Sequence, residues 1–152
     1  MWSSTAPAAI AGFIAQLTDS PDLAGVSVVD GPVVTNTAAL EVVTVGFQNE
    51  DQPAVVDGTD AREGLGIGRS HELYTINCKA EVLNGASDIV AARGRAYELL
   101  DAVGAALAAD KTLGDAVMAA EIGPVALSQL QTKNGAVAMI LFGVNCDAYT
   151  AL

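Results

Sequence analysis

The chain has 152 residues, of which 18 are acidic and 7 basic, so its formal net charge is −11. This length predicts a single domain, 1–152, that can bury a core without metal or disulfide cross-links. The acidity argues against binding to nucleic acid or to an anionic membrane, because both need clustered Lys and Arg. A hydrophobic fraction of 51% excludes disorder over most of the chain.

The first predicted element is a helix whose N-cap is Ser4 or Thr5, with Pro7 in its first turn and an end at Ser20-Pro21. The apolar run 6–17 is too short to span a bilayer, and no Lys or Arg precedes it as a targeting signal requires. The helix presents an apolar stripe at helical spacing: Ile10, Phe13, Ile14 and Leu17.

Two strands and a long loop follow the helix. The strands are predicted at Val26–Val29 and Leu40–Phe47, from their β-branched and aromatic residues. Asn49–Ser70 has no sustained hydrophobic period, and a loop of that length in a compact domain is usually functional or disordered. We expect this loop to be mobile in the free subunit, with protease sites at Arg62 and Arg69, and ordered in an assembly.

A third strand and a long helix form the clearest part of the pattern. Tyr74–Val82 alternates between apolar and polar residues, which indicates one buried face and one wet face. Asn84-Gly85 ends the strand, and Ser87 is the predicted N-cap of a helix that reaches Ala109. The helix has an extended apolar stripe: Ile89, Ala92, Ala96, Leu99, Leu100, Val103 and Leu107.

The C-terminal third predicts a β-hairpin. The runs Val117–Leu130 and Val137–Asp147 flank Lys133-Asn134-Gly135, and Asn-Gly is a strong hairpin signal. Ala136–Val144 is entirely apolar, so both of its faces need cover. The long helix covers one face, and we expect a second copy of the chain to cover part of the other. The predicted fold is therefore α+β, with a mostly antiparallel sheet packed against two helices, a C-terminal β-hairpin and a long loop between strands two and three.

Candidate catalytic residues are few. His71 is the single histidine, and its strand neighbours Ser70 and Glu72 point to the other face, so we interpret it as a surface residue at a loop end. Cys78 and Cys146 are far apart and outside any CxxC pattern, which predicts two reduced core residues.

Candidate binding loops are equally sparse. Gly64, Gly66 and Gly68 precede a strand, whereas a phosphate-binding loop opens into a helix. The carboxylates of the long loop do not have the spacing of a helix-loop-helix calcium site, and a solvated acidic loop explains them better: Asp51, Asp57, Asp60 and Glu63. We therefore predict no catalytic residue, no cofactor and no metal, and a protein that is not an enzyme.

The whole-chain pattern resembles the tail terminator proteins of long-tailed bacteriophages, the group of the lambda minor tail protein U. The stretches that carry the resemblance are Val42–Phe47, Tyr74–Cys78, and Gly135–Phe142 running into Val144–Asp147. The resemblance implies a virion structural protein, assembled in the host cytoplasm and located at the tail neck. It implies a homo-oligomer, a hexameric ring that caps the tail tube, stops its polymerisation and offers a surface for head-tail joining.

The implied partners are other copies of the chain, the tail tube protein and a head-tail connector protein, without a membrane. Double-stranded DNA would pass through the ring without specific binding, and a negative lumen suits this passage because it repels phosphate. The candidate assembly interface combines apolar and charged residues of the long loop with the hairpin: Asp51, Val55, Val56, Asp57, Asp60, Arg62, Glu63, Leu65, Ile67, Arg69, Val137, Met139 and Leu141.

Two alternatives stay open at this point. One is another phage neck or head-tail connector protein, which differs in its partner. The other is a small-molecule-binding or enzymatic α+β domain, which a pocket lined by polar residues or a ligand retained through purification would favour.

Overall fold

The computed structural model describes residues 4–31, 40–61 and 71–150. These residues form two helices and a six-stranded, mostly antiparallel sheet, which confirms the predicted α+β class and the C-terminal hairpin. The elements in chain order are α1 (Ala6–Thr18), a 3₁₀ turn (Pro21–Leu23), β1 (Ser27–Asp30), β2 (Glu41–Val45), β3 (Val56–Ala61), β4 (His71–Asn84), α2 (Ile89–Ala109), β5 (Ala119–Thr132) and β6 (Gly135–Tyr149).

The sheet has the spatial order β1-β2-β4-β6-β5, and β3 pairs with β4 beside this path. β1 and β2 are parallel, and every other pair is antiparallel. β2 pairs with the second half of β4 and β3 with its first half, so both lie end to end along one edge of β4. The opposite edge of β4 pairs with β6 along its whole length.

β3 corrects the predicted loop Asn49–Ser70, because Val56–Ala61 is a strand. Its sequence, with one glycine and two aspartates, has low strand propensity and gives no alternation. The segment is nevertheless a strand because it forms backbone hydrogen bonds with the long edge of β4. Gly58 permits this approach, since a Cβ there would lie 2.4 Å from the Cβ of Tyr74.

Both helices pack on one face of the sheet, which we call the inner face; the opposite side is the outer face. β4 alternates between buried and more exposed residues as predicted, and its inner residues meet those of β6 and α2. The core has an aromatic and aliphatic centre with many alanines around it, and its largest fully buried side chains include Phe13, Leu17, Ile76, Leu99 and Ile140. Ile10, Ile14, Ile89 and Leu100 lie only partly buried at its margin.

One of the two predicted helix caps is confirmed. Thr5 is the N-cap of α1, as predicted, although its side chain makes no capping bond within the helix. α2 is capped by Asp88, whose carboxylate accepts a hydrogen bond from the Ala91 N–H. The predicted cap, Ser87, instead has a φ of 60° and turns the chain into the helix.

The hairpin turn is one residue earlier than the Asn-Gly signal suggests. Thr132 pairs with Gly135, so Lys133 and Asn134 are the two turn residues. Gly135 begins β6, where a Cβ would lie 2.1 Å from the carbonyl oxygen of Asn84. Contact with the end of β4 therefore requires glycine at that position and shifts the turn.

Candidate assembly surface

The outer face of the hairpin is apolar. Val137, Met139 and Leu141 project from β6 on this side and are half-buried by their neighbours in the sheet. Leu130, paired with Val137, is 63% exposed. Because the helices pack on the inner face, this surface carries the apolar side chains for which the sequence predicted a second cover.

Residues 46–55 cross onto the outer face between β2 and β3. The carbonyl of Asn77 accepts from the N–H groups of Gly46 and Phe47, and the Asn77 N–H donates to Val55. The excursion 46–55 therefore leaves and rejoins the edge of β4 at one residue. The Asn77 side-chain amide also fixes the excursion to β4, because it donates a hydrogen bond to the Ala54 carbonyl at 2.8 Å.

A groove of about 550 Å³ lies on the outer face between the excursion 46–55 and the β5 bulge. The bulge occurs between Ile122 and Val125, where the register of β5 against β6 shifts. Gly143 lies at the bottom of the groove and leaves space there because it has no side chain. A Cβ at this position would lie 2.5 Å from the Thr75 methyl group. The lining is mixed and consists of Phe47, Gln52, Asp57, Thr75, Asn77, Cys78, Pro124, Val125, Ala126, Leu141, Phe142, Gly143 and Asn145.

The polar floor of the groove is organised by pairing across three strands. Asp57 pairs with Thr75, and Thr75 pairs with Asn145, so the three side chains form a row. The Thr75 hydroxyl donates to the Asn145 amide oxygen at 2.7 Å. Asp57, at the β3 end of the row, is exposed and forms no hydrogen bond or ion pair with any described residue.

The basic side chains of the described part are almost all engaged within the subunit. The ammonium of Lys79 binds Glu81 at 2.9 Å and lies 4.9 Å from the centre of the Phe47 ring. Two further contacts join Arg93 to Gln129 at 3.0 Å and Lys111 to Glu121 at 3.9 Å.

Arg95 makes the strongest of these contacts. Its guanidinium donates to Glu41 at 2.6 and 3.1 Å and to Glu98 at 2.9 Å. The hydrogen bond with Glu41, followed by that with Glu98, raises the pKa of Arg95 above its ordinary value. Lys133, at the turn of the hairpin, is exposed and has no such partner among the described residues.

On the inner face, Glu72 is a buried carboxylate that caps α1 from the sheet. It accepts hydrogen bonds from the Ser4 hydroxyl at 2.6 Å, the Thr5 N–H at 2.8 Å and the Thr5 hydroxyl at 2.9 Å. Tyr74 reaches the same hydroxyl, 2.8 Å away, and burial raises the pKa of Tyr74 to about 12. These hydrogen bonds attach the start of α1 to β4. The Glu72 carboxylate therefore has a structural role, which its position in the sequence does not reveal.

His71 is not the loop-end surface residue that the sequence suggested. It begins β4, its side chain is 18% exposed, and its Nε2 lies 2.5 Å from the Asp147 carboxylate. Its ring stacks on Tyr149 with 5.0 Å between centroids. The pairing of β4 with β6 brings these residues together, and their contacts join the start of one strand to the end of the other.

Cys78 and Cys146 are both buried and unpaired, as predicted. Burial raises the pKa of each thiol to about 12, so both stay protonated at neutral pH. Within residues 4–31, 40–61 and 71–150, no cluster of three or more His, Cys, Asp or Glu side chains is arranged to hold a metal ion. Over the same residues, no helix has the length and apolarity to cross a membrane.

The structure does not gather the candidate interface residues into one place. Asp57 and Leu141 line the groove, and Val137 and Met139 continue the same face toward the hairpin turn. Asp51 is exposed on the excursion, where Val55 packs beside Gly46, whereas Val56 packs against the core of its own subunit. Asp60 belongs to β3, and the remaining residues lie outside the described part of the chain: Arg62, Glu63, Leu65, Ile67 and Arg69.

Sequence reasoning missed Phe47, Gln52, Asn77 and Asn145 as groove residues. Asn77 was visible as a polar member of the β4 alternation, but nothing in the sequence placed an excursion against it. Of the predicted mobile loop Asn49–Ser70, residues 49–61 are described and residues 62–70 lie outside the described part, and the mobility of the free subunit stays a prediction.

No protein-family model matches the chain, and no curated protein matches it. Among solved structures, it is similar to a chain of one described as "Virion of native gene transfer agent (GTA) particle". The identity is 15% and the TM-score 0.48, over 91% of this chain and 94% of that one. The likeness at this identity and TM-score assigns no function to the chain.

Proposed function

We propose that this chain is a structural tail terminator of a long-tailed phage, forming a ring that caps the tail tube and stops its growth. The observation that carries the proposal is the apolar outer face of the hairpin, where Val137, Met139 and Leu141 lie beside exposed Leu130. Apolar surface of this kind favours association with another protein, and identical subunits supply it most simply.

Two further features support this role. The sequence patterns of β2, β4 and β6 resemble those of tail terminators. The net charge of −11 suits a ring through which DNA slides, because like charge prevents the phosphates from adhering. The ring would be hexameric, and its two ends would meet the tail tube protein and a head-tail connector protein.

The proposal is tested by adding the purified chain to growing tail tubes and imaging their ends by electron microscopy. We expect ring-shaped density at one end and arrested elongation, together with a ring-sized particle in native mass measurement. A chain that remains monomeric both in solution and on tubes contradicts the proposal. Attachment to heads without arrest of the tube would identify another neck or connector protein.

A surface variant makes the test specific to the outer face. Met139→Lys places an unpaired charge in the apolar patch, so it should weaken assembly at least about tenfold while the monomer stays folded. Ala105→Lys adds the same charge on an exposed position of α2 and should assemble like the wild type. Equal assembly of the two variants would remove the hairpin face from the interface.

A small-molecule-binding domain is the second candidate, favoured by the polar side chains in the groove. Native mass spectrometry of the purified chain decides this point. A retained ligand that is lost when Asn77→Ala is introduced would favour this second role.

A further inference from the structure

Two opposite charges without described partners lie far apart on each subunit. Lys133 is exposed at the hairpin turn, and Asp57 is exposed at the edge of the groove. In a chain with only 7 basic residues, most cations of the described part are bound to acceptors of their own subunit. Asp57 is one of several carboxylates without a described partner, and it is the one that lines the groove, so it is the carboxylate that a cation entering the groove from another copy would meet.

The two groups cannot meet within one subunit. Asp57 lies in the same row as Asn145, and Lys133 precedes Gly135 at the other end of β6. From Gly135 to Asn145 a strand advances ten residues, or roughly 33 Å at about 3.3 Å per residue. A bond between the two charges therefore requires two subunits.

The surroundings of the two charges also match. Leu130 is 63% exposed beside the turn, so the tip presents one large apolar side chain and one cation. The groove offers Phe47 and Leu141 as apolar wall and Asp57 as its carboxylate. A turn of two residues is also the narrowest chain reversal between paired strands, and this suits entry into a groove.

We propose that the hairpin tip, residues 130–135, of one subunit inserts into the groove of a second copy. The Lys133 ammonium then binds the Asp57 carboxylate, and Leu130 packs on the apolar wall. This inference rests on the proposed function and names the surfaces that meet in the ring. Tip and groove are different parts of each subunit, so the contact repeats head to tail and closes into a ring when the rotation allows.

Zero-length cross-linking tests the contact directly. A carbodiimide activates the Asp57 carboxylate, and the Lys133 amine displaces the urea to leave an amide. We expect linked Lys133 and Asp57 peptides in covalent dimers and larger species, and mixed-isotope links when ¹⁴N and ¹⁵N chains are combined. Lys133→Arg keeps the charge but removes the amine, so it should assemble normally without this link. Assembled chains that lack the link would overturn the proposal.

Charge reversal provides the second measurement. Lys133→Glu and Asp57→Lys should each raise the dissociation constant of self-association at least about tenfold, and the double variant should return it to within about threefold. The controls Lys111→Glu and Asp101→Lys make the same charge changes elsewhere and should leave association unchanged. Reversals that act additively, with no rescue in the double variant, would also overturn the proposal.

The outcomes separate this contact from the proposed function. If the wild type arrests tube growth but neither reversal weakens association, the ring stands and the tip-groove contact is wrong. If the link and the rescue appear but tubes continue to grow, the contact stands and the terminator role is wrong. Absence of any association, in solution or on tubes, contradicts both.

Discussion

Over the run 136–144, the inner and outer faces of β6 both carry apolar side chains but have different surroundings. Ala138, Ile140 and Phe142 are buried against the helices, whereas Val137, Met139 and Leu141 alternate with them and stay half-buried. Hydrophobicity alone therefore does not distinguish the two faces. The difference lies in what covers each face: the inner cover is part of the same chain, and we propose that other copies provide the outer one.

The largest expected effect is a difference in stability loss between alanine substitutions at two neighbouring residues, one on each face. Ile140→Ala should lower the free energy of unfolding by about 2–5 kcal/mol, because it leaves a cavity in the closed core. Leu141→Ala should lower the monomer's stability by less than about 1.5 kcal/mol, since its site is already partly open, and should weaken self-association. Chemical denaturation of dilute monomer gives both values. Equal losses at the two positions would mean that the outer face is closed within the subunit.

Alkaline pH should also act on the inner face. Cys78, Cys146 and Tyr74 have pKa values raised to about 12 by burial, from ordinary values of 9.0 for the thiols and 10.0 for the phenol. A raised folded-state pKa leaves stability unchanged below pH 9 and lowers it as pH rises from about 9 to 12. Each group contributes a slope of at most about 1.4 kcal/mol per pH unit.

The measurement is denaturant unfolding at several pH values from about 8 to about 11, which covers the onset of this decline. Cys146→Ala removes one of the three groups, so its stability should decline less steeply with pH than that of the wild type. An identical decline would show that the Cys146 thiol titrates in the folded protein as it does in the unfolded chain.

Two glutamates give a smaller contrast. Glu72→Ala should cost about 1–3 kcal/mol, because it leaves the donors of Ser4 and Thr5 without their acceptor on the inner face. Glu81→Ala removes an outer-face ion pair with Lys79 and should cost less than about 1 kcal/mol. Thermal unfolding of both variants measures the two losses of stability. A larger loss for Glu81→Ala than for Glu72→Ala would contradict the expected order.

The smallest effect is expected at His71. His71→Ala removes the contact with Asp147 and the stacking on Tyr149, both of which are partly exposed, so stability should fall by less than about 1 kcal/mol. Assembly and tube arrest should be unchanged, because we assign this residue no chemistry. A folded His71→Ala protein without biological activity would contradict that assignment.

Periodicity predicted those elements whose environment repeats along them. The alternation from Tyr74 to Val82 and the helical stripe from Ala92 to Leu107 identified β4 and α2, because each has one face against the core. The hairpin was visible from its turn and from the apolar run 136–144. The same run also indicated an apolar face that the helices leave uncovered, because a strand without alternation has apolar side chains on both sides.

Distant pairing determined what the sequence did not predict. β3 forms because the edge of β4 is available, and its own residues give no strand pattern. Glu72 caps a helix residue 67 positions away, a relation that spacing cannot express. The groove arises where the excursion 46–55 meets the β5 bulge, so its residues come from separate segments of the chain with no common motif.

The in-line arrangement of β2 and β3 has a consequence for how this chain tolerates change in length. Because the excursion 46–55 leaves and rejoins the edge of β4 at Asn77, residues added or removed near its Asn49–Gln52 turn do not alter the pairing on either side. An insertion within a paired strand would instead exchange its two faces. The excursion is thus a natural place for sequence divergence among homologues and for a grafted peptide epitope. It allows one wall of the groove to be reshaped while the sheet keeps its register.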